Sequence, residues 1–166
     1  MIQFTVDIYL EPYLAQWYIH ENGGQHPIVP KKLSIESRVL ETFLRTRPNR
    51  PAADNPKPNL VKVELVIPHF RCKDPQYYNY LPKPAKGELK RDIRNRFVWD
   101  LWKSLNQFRY IGMRRDNLVI AWMEAHGIEF DDTNYNTILK IYQRQYKTQL
   151  ENERREDGSK PSNKKQ

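Results

Sequence analysis

The chain has one cysteine, Cys72, so it can form no internal disulfide and no cysteine pair to hold zinc. Its six glycines never fall into GxGxxG or GxxxxGKS/T, so no loop of either pattern cradles a phosphate. No apolar run approaches the ~20 residues needed to span a bilayer. Met1 to Leu10 alternate apolar and polar residues and include Asp7, unlike the basic start and continuous apolar stretch of a secretory signal. The expectation is a cytoplasmic chain that makes no use of a membrane.

Metal and nucleophile signatures are equally sparse. His20, His26, His69 and His126 show no HxxxH spacing. His69 and Cys72 are three apart in an irregular stretch, a weak ligand pair at best. Tyr77, Tyr78 or Tyr80 as a strand-joining nucleophile would need a metal-binding histidine pair or an arginine constellation to stabilise the phosphate. Asp131 and Asp132 could hold Mg²⁺, but adjacent acids ahead of a helix are far more often caps. The sequence therefore predicts no catalytic residue, no cofactor and no metal, and reads as a non-enzyme, with a nuclease as the distant exception.

Positive charge, by contrast, is abundant. Lys and Arg number 28 against 20 Asp and Glu, a net +8, which draws the chain to polyanions. Residues 1–44 hold three basic against five acidic residues, net −2. Residues 45–73 hold seven against two, and residues 83–147 thirteen against eight, each net +5. That division suggests one face turned toward an anionic partner.

Hydrophobic periodicity gives an α+β fold class. Ile2, Phe4, Val6, Ile8 and Leu10 alternate as in a half-buried strand. Pro12 starts a helix carrying Tyr13, Leu14, Trp17 and Tyr18, stopped by Gly23 and Gly24. Residues 27–30 are extended. Ser34 caps a helix reaching about Thr46, with Ile35, Val39 and Phe43 as its stripe and Leu40 and Leu44 beside it. A proline-rich loop spans 47–59, and Val61, Val63, Leu65 and Ile67 mark another strand.

Residues 69–82 read as irregular. A long helix runs from about Pro84 to Tyr110 with Leu89, Ile93, Phe97, Leu101 and Leu105 at every fourth position, and Gly112 ends it. Helices from 116 to 126 and from about 132 follow, the second with Tyr135, Ile138, Leu139, Tyr142 and Tyr146 inward. The domain reading is one domain over 1–150, comprising an α+β part (1–68) and a three-helix C-terminal bundle (83–150), with a disordered tail at 151–166. Trp17, Trp99, Trp102 and Trp122 are read as core.

Two stretches offer binding chemistry. The first supplies Arg71, Lys73, Tyr77, Tyr78 and Tyr80, then Lys83, Lys86, Lys90, Arg91, Arg94 and Arg96. Rings stack on unpaired bases while cations neutralise phosphates. Phosphate contacts are assigned to Lys83, Lys86, Lys90, Arg91 and Arg94, and stacking to the three tyrosines. Lys90, Arg91 and Arg94 lie close together on the helix, which calls for a counter-anion. The second stretch is the polar face of the last helix: Asn134, Asn136, Thr137, Lys140, Gln143, Arg144 and Lys147. Asn136, Lys140, Gln143 and Arg144 carry the donors that base edges accept.

In that second stretch, Asp116 to Lys147 (DNLVIAWMEAHGIEFDDTNYNTILKIYQRQYK) resembles the helix-turn-helix proteins of bacteriophages and mobile elements. The resemblance covers about a fifth of the chain. It implies DNA binding by the last helix, in regulation, replication or packaging of such an element. The alternative is a purely structural helical pair, with Glu129, Asp131 and Asp132 serving the helix dipole. The functional expectation is a non-catalytic nucleic-acid-binding protein, with DNA the first choice of partner. The runner-up is an interaction or structural component whose basic face meets an acidic protein.

Overall fold

A computed structural model describes residues 3–51, 53–107, 112 and 114–158. The order is β1 (Thr5–Leu10), α1 (Pro12–Glu21), α2 (Ile35–Phe43), β2 (Arg45–Thr46), β3 (Val61–Val66), β4 (Tyr78–Tyr80), α3 (Lys83–Gln107), α4 (Arg115–Ala125) and α5 (Asp132–Gly158). This is an α+β fold: small sheets with helices in the N-terminal half, then a helical C-terminal half in which α3, α4 and α5 pack on one another.

β1 pairs antiparallel with β3 from Thr5↔Val66 to Leu10↔Val61. The alternation buries Val6, Ile8 and Leu10 against Val63 and Leu65. The expected strand at 27–30 shrinks to one parallel bridge, Ile28↔Leu65. Pro27 and Pro30 have no N–H to give a ladder, so only Ile28 bonds on both sides, to Glu64 O and from Val66 N. A second ribbon, β2 with β4, sets Arg45 opposite Tyr80 and Thr46 opposite Tyr78. The sequence reading put Thr46 in a helix and 78–80 in irregular chain; two- and three-residue strands are too short to show a period.

Helix boundaries follow local chemistry. Pro12 opens α1 at a position that needs no N–H. Gly23 and Gly24, both at positive φ, close it by donating to His20 O and Ile19 O. Ser34 accepts from Ser37 N and caps α2, and Asp131 accepts from Asn134 N at the start of α5. The long helix is seen to Gln107; residues 108–111 lie outside the described residues, as does Ile2 of the expected first strand. α5 continues through 151–158, where disorder was expected. Glu151, Glu153, Arg154 and Arg155, all exposed, extend an existing helix without needing a buried face. The rest of the expected tail, 159–166, lies outside the described residues.

α3 is the central element and packs on α1, α2, β1, α4 and α5. Ala85, Leu89, Ile93, Phe97, Leu101 and Leu105 are all buried along it. Phe97 meets Tyr13, Trp17 and Trp122 edge-on at 5.2–5.5 Å between ring centres, which joins both halves of the chain in one core.

α2 is rotated from the orientation its apolar stripe predicts. Glu36 and Leu40 are buried, whereas Ile35 and Phe43 are 47% and 39% exposed. Glu36 decides this: its carboxylate accepts from the Tyr18 hydroxyl at 3.0 Å and pairs with Arg96 of α3. Burial alone would raise the Glu36 carboxyl. Backbone hydrogen bonding, the Arg96 charge and the Tyr18 hydroxyl outweigh burial and hold it below its ordinary value. Burial, then the Glu36 charge, pushes the Tyr18 phenol well up.

Two outcomes follow for stability. Phe97→Ala removes the ring shared by three aromatic contacts and should cost about 3–5 kcal/mol in denaturant unfolding. The lowered Glu36 carboxyl contributes stability in full above its ordinary value of 4.5, and this is lost as pH falls through the folded value. Glu36→Gln should flatten that acid limb and cost about 1–3 kcal/mol near neutrality; an unchanged acid limb would contradict the assignment.

Candidate nucleic-acid interface

The cations at the start of α3 meet internal acids. Lys86 pairs with Asp54 of the proline-rich loop, and Arg91 with Glu88. Glu11, the residue before α1, lies 3.2 Å from Lys90 and 3.7 Å from Arg94 with a single oxygen. The counter-anion that this cluster calls for is thus partly supplied by the chain itself. Arg96 is committed to Glu36 and Asp92. Lys83, Lys86 and Lys90 do line one recess of ≈ 280 Å³, but Asp54 lines it with them.

The irregular segment before α3 divides in the same way. Lys73 donates to Thr42 O and Leu44 O and closes the end of α2, so it is spent on structure. Arg71 is exposed and makes no ion pair among the described residues. Tyr77 is 62% exposed, whereas Tyr78 and Tyr80 are half-buried in β4 and Tyr78 packs on the core. Tyr80 shares a recess with Arg47 and Lys86, but also with Asp7, Asp54 and Glu64, which repel an anion.

The polar stripe of α5 keeps its charge. Asn136, Lys140, Gln143, Arg144 and Lys147 are all exposed, and among the described residues the three cations make no ion pair. Spacings of three and four place Lys140, Arg144 and Lys147 on one face. Asn134 is the correction on this helix: it is buried, and its amide donates to Glu129 O to fix the turn between α4 and α5.

The two stretches meet between α3 and α5. A groove of ≈ 430 Å³ is lined by Arg94, Asn95 and Trp99 from α3 and by Arg144 and Gln145 from α5, with Val98, Trp102 and Ile141 as its apolar lining. Trp99 is 61% exposed, against the core reading of all four tryptophans. Trp17 and Trp122 are buried and Trp102 is half-buried on Tyr142. The Lys103 ammonium sits 4.7 Å from the centre of the Trp99 ring. An open indole flanked by Arg94, Lys103 and Arg144 offers a stacking surface with phosphate partners beside it.

Trp99 was the missed residue, and its signal was in the spacing. It falls two residues after Phe97, about 200° around the helix and so opposite the buried line. Arg45, Arg47 and Arg50, part of the basic 45–73 stretch but given no individual role there, are exposed and make no ion pair among the described residues.

Among the described residues no helix is long and apolar enough to cross a membrane. No family model, curated protein or solved structure matches this chain.

Proposed function

We propose that this chain binds nucleic acid without transforming it, and that single-stranded DNA is its first partner. Bases would stack on Trp99. Phosphates would meet Arg94, Lys103 and Arg144, then Lys140 and Lys147 further along α5. The observation that carries this reading is the groove in which Arg94 and Arg144, 50 positions apart in sequence, flank an exposed tryptophan. The helix-turn-helix resemblance extends the proposal to regulation, replication or packaging of DNA in a phage or mobile element, in the cytoplasm; a duplex docked on α5 would instead turn Asn136, Lys140, Gln143 and Arg144 from phosphates toward its base edges.

Anisotropy titration of labelled oligonucleotides tests it. Binding in the micromolar range or tighter is expected at low salt, weakening steeply as salt rises. Trp99→Ala should lose the stacking of one base, about 1–3 kcal/mol or roughly tenfold or more in affinity. Arg144→Glu should weaken binding and lower the salt slope. If neither single-stranded nor duplex DNA nor RNA binds at low salt, the reading fails.

The same geometry gives a prediction of opposite sign. Glu11→Gln removes the carboxylate shared by Lys90 and Arg94. It should tighten DNA binding and steepen the salt dependence, because both cations become available to phosphates. Unchanged or weaker binding by a folded Glu11→Gln protein would place the DNA elsewhere.

A second reading, a protein-interaction component, is favoured by one observation. α2 presents Ile35 and Phe43 to solvent, with the neighbouring Leu33 74% exposed. Charged substitutions at Ile35 and Phe43 separate the two readings, since they should leave DNA binding intact and disrupt only a protein contact.

A further inference from the structure

A second constellation lies where α1, α3 and α4 come together, and the nucleic-acid reading makes no use of it. Glu21 ends α1, Asp100 projects from α3, and His126 caps α4. One donor atom from each lies within 4.8 Å of the others. Sequence spacing could not show this, because the three residues are far apart along the chain.

The hydrogen bonds of His126 give its ring a fixed sense. Nδ1 lies 2.8 Å from Trp122 O, and a carbonyl only accepts, so Nδ1 carries the hydrogen. Nε2 is left facing Asp100 Oδ2 at 3.3 Å. In the neutral ring both of those atoms are acceptors, so the contact needs a cation between them: a proton, or a metal ion. Histidine ligands commonly anchor their far nitrogen on a carbonyl in this way. Asp100 is held as well, since Trp17 Nε1 donates to its Oδ2 at 3.3 Å.

Distances suit a metal as well as a proton. Ligand atoms roughly 2.0–2.2 Å from a tetrahedral ion stand about 3.3–3.6 Å from each other. The His126–Asp100 edge already has that length. Glu21 sits at the rim with its side chain 43% exposed and needs only a small adjustment. Glu21 and Asp100 also line a solvent-open recess beside Trp99, so both carboxylates are reached from solvent, with Lys31 and Arg96 on the same lining. His20 stands next to His126 with ring centres 6.3 Å apart and its Nδ1 3.8 Å from Glu21 Oε1, beside the three-residue cluster rather than in it. Gly127 makes this approach possible: a Cβ there would come within 2.7 Å of the His20 ring.

We infer that Glu21, Asp100 and His126 form a binding site for one divalent transition-metal ion of the zinc class, tying the end of α1 to α3 and α4. An imidazole with two carboxylates suits zinc or cobalt, whereas magnesium prefers oxygen ligands and keeps its water.

The test uses the full, untagged chain after dialysis against a chelator. Calorimetry with Zn²⁺ should show one ion per chain, Co²⁺ should give the visible absorption of a tetrahedral site, and Zn²⁺ should raise the melting temperature. Mg²⁺ at the same concentration should do none of these. Asp100→Asn and His126→Gln should each weaken Zn²⁺ binding at least about tenfold. Should either fail to fold, Glu21→Gln at the exposed rim should weaken binding without changing the melting of the metal-free chain. The double variant His69→Ala with Cys72→Ser should bind normally. Absence of saturable one-to-one binding would overturn the inference, as would full affinity in the Asp100, His126 or Glu21 variants or loss of affinity in the His69/Cys72 variant. DNA is absent from every arm, so the result is independent of the nucleic-acid reading.

Discussion

Six buried side chains of α3, from Ala85 to Leu105, recur every four residues. Four residues turn an α-helix about 400°, so the buried line advances about 40° at each step and about 200° over its length. The helix therefore shows its buried side to different neighbours as it runs. It meets β1, α1 and α2 of the first half and α4 and α5 of the second. Phe97 sits where these surfaces join, touching aromatic rings of α1 and α4. The same winding decides what remains outside: Trp99 and the Arg94 side chain turn toward the α5 groove.

Charge is arranged by the same helix. An acidic front and a basic remainder in the sequence do not become an acidic and a basic face. Glu11 and Glu36 of the front meet Lys90, Arg94 and Arg96, and Asp54 meets Lys86. The pairs made by Lys86, Lys90 and Arg94 are partly exposed and add little stability individually, unlike the buried Glu36 carboxylate, but all of them lower the potential that α3 shows to a phosphate. The α5 stripe has no such partners among the described residues, so the stronger anion-attracting surface lies along Lys140, Arg144 and Lys147. The functional proposal thus rests on α5 and Trp99 more than on the lysine-rich start of α3.

Much of the architecture was legible from the sequence. Alternation gave β1 and β3, the four-residue repeat gave α3, and Ser34, Pro12, Gly23 and Gly24 marked helix ends as their chemistry requires. What escaped depended on distant partners. The β2–β4 ribbon is too short to carry a period. The rotation of α2 follows from a buried carboxylate whose partners, Tyr18 and Arg96, are 18 and 60 residues away. Of the two sequence candidates for binding, only Arg94 and Arg144 are brought into one groove, and the tryptophan beside them was readable from its angle to the stripe. Glu21, Asp100 and His126 carry no local signature, because three different helices deliver them.

The central claim is that the α3–α5 groove receives unpaired bases on Trp99. Its most direct test is the set of tryptophan indole resonances in a nitrogen–proton spectrum, assigned with Trp99→Phe and titrated with single-stranded oligonucleotide. The account predicts a large, saturable shift of the Trp99 signal while the buried Trp17 and Trp122 signals stay nearly still. A saturating titration that leaves Trp99 unmoved would contradict it.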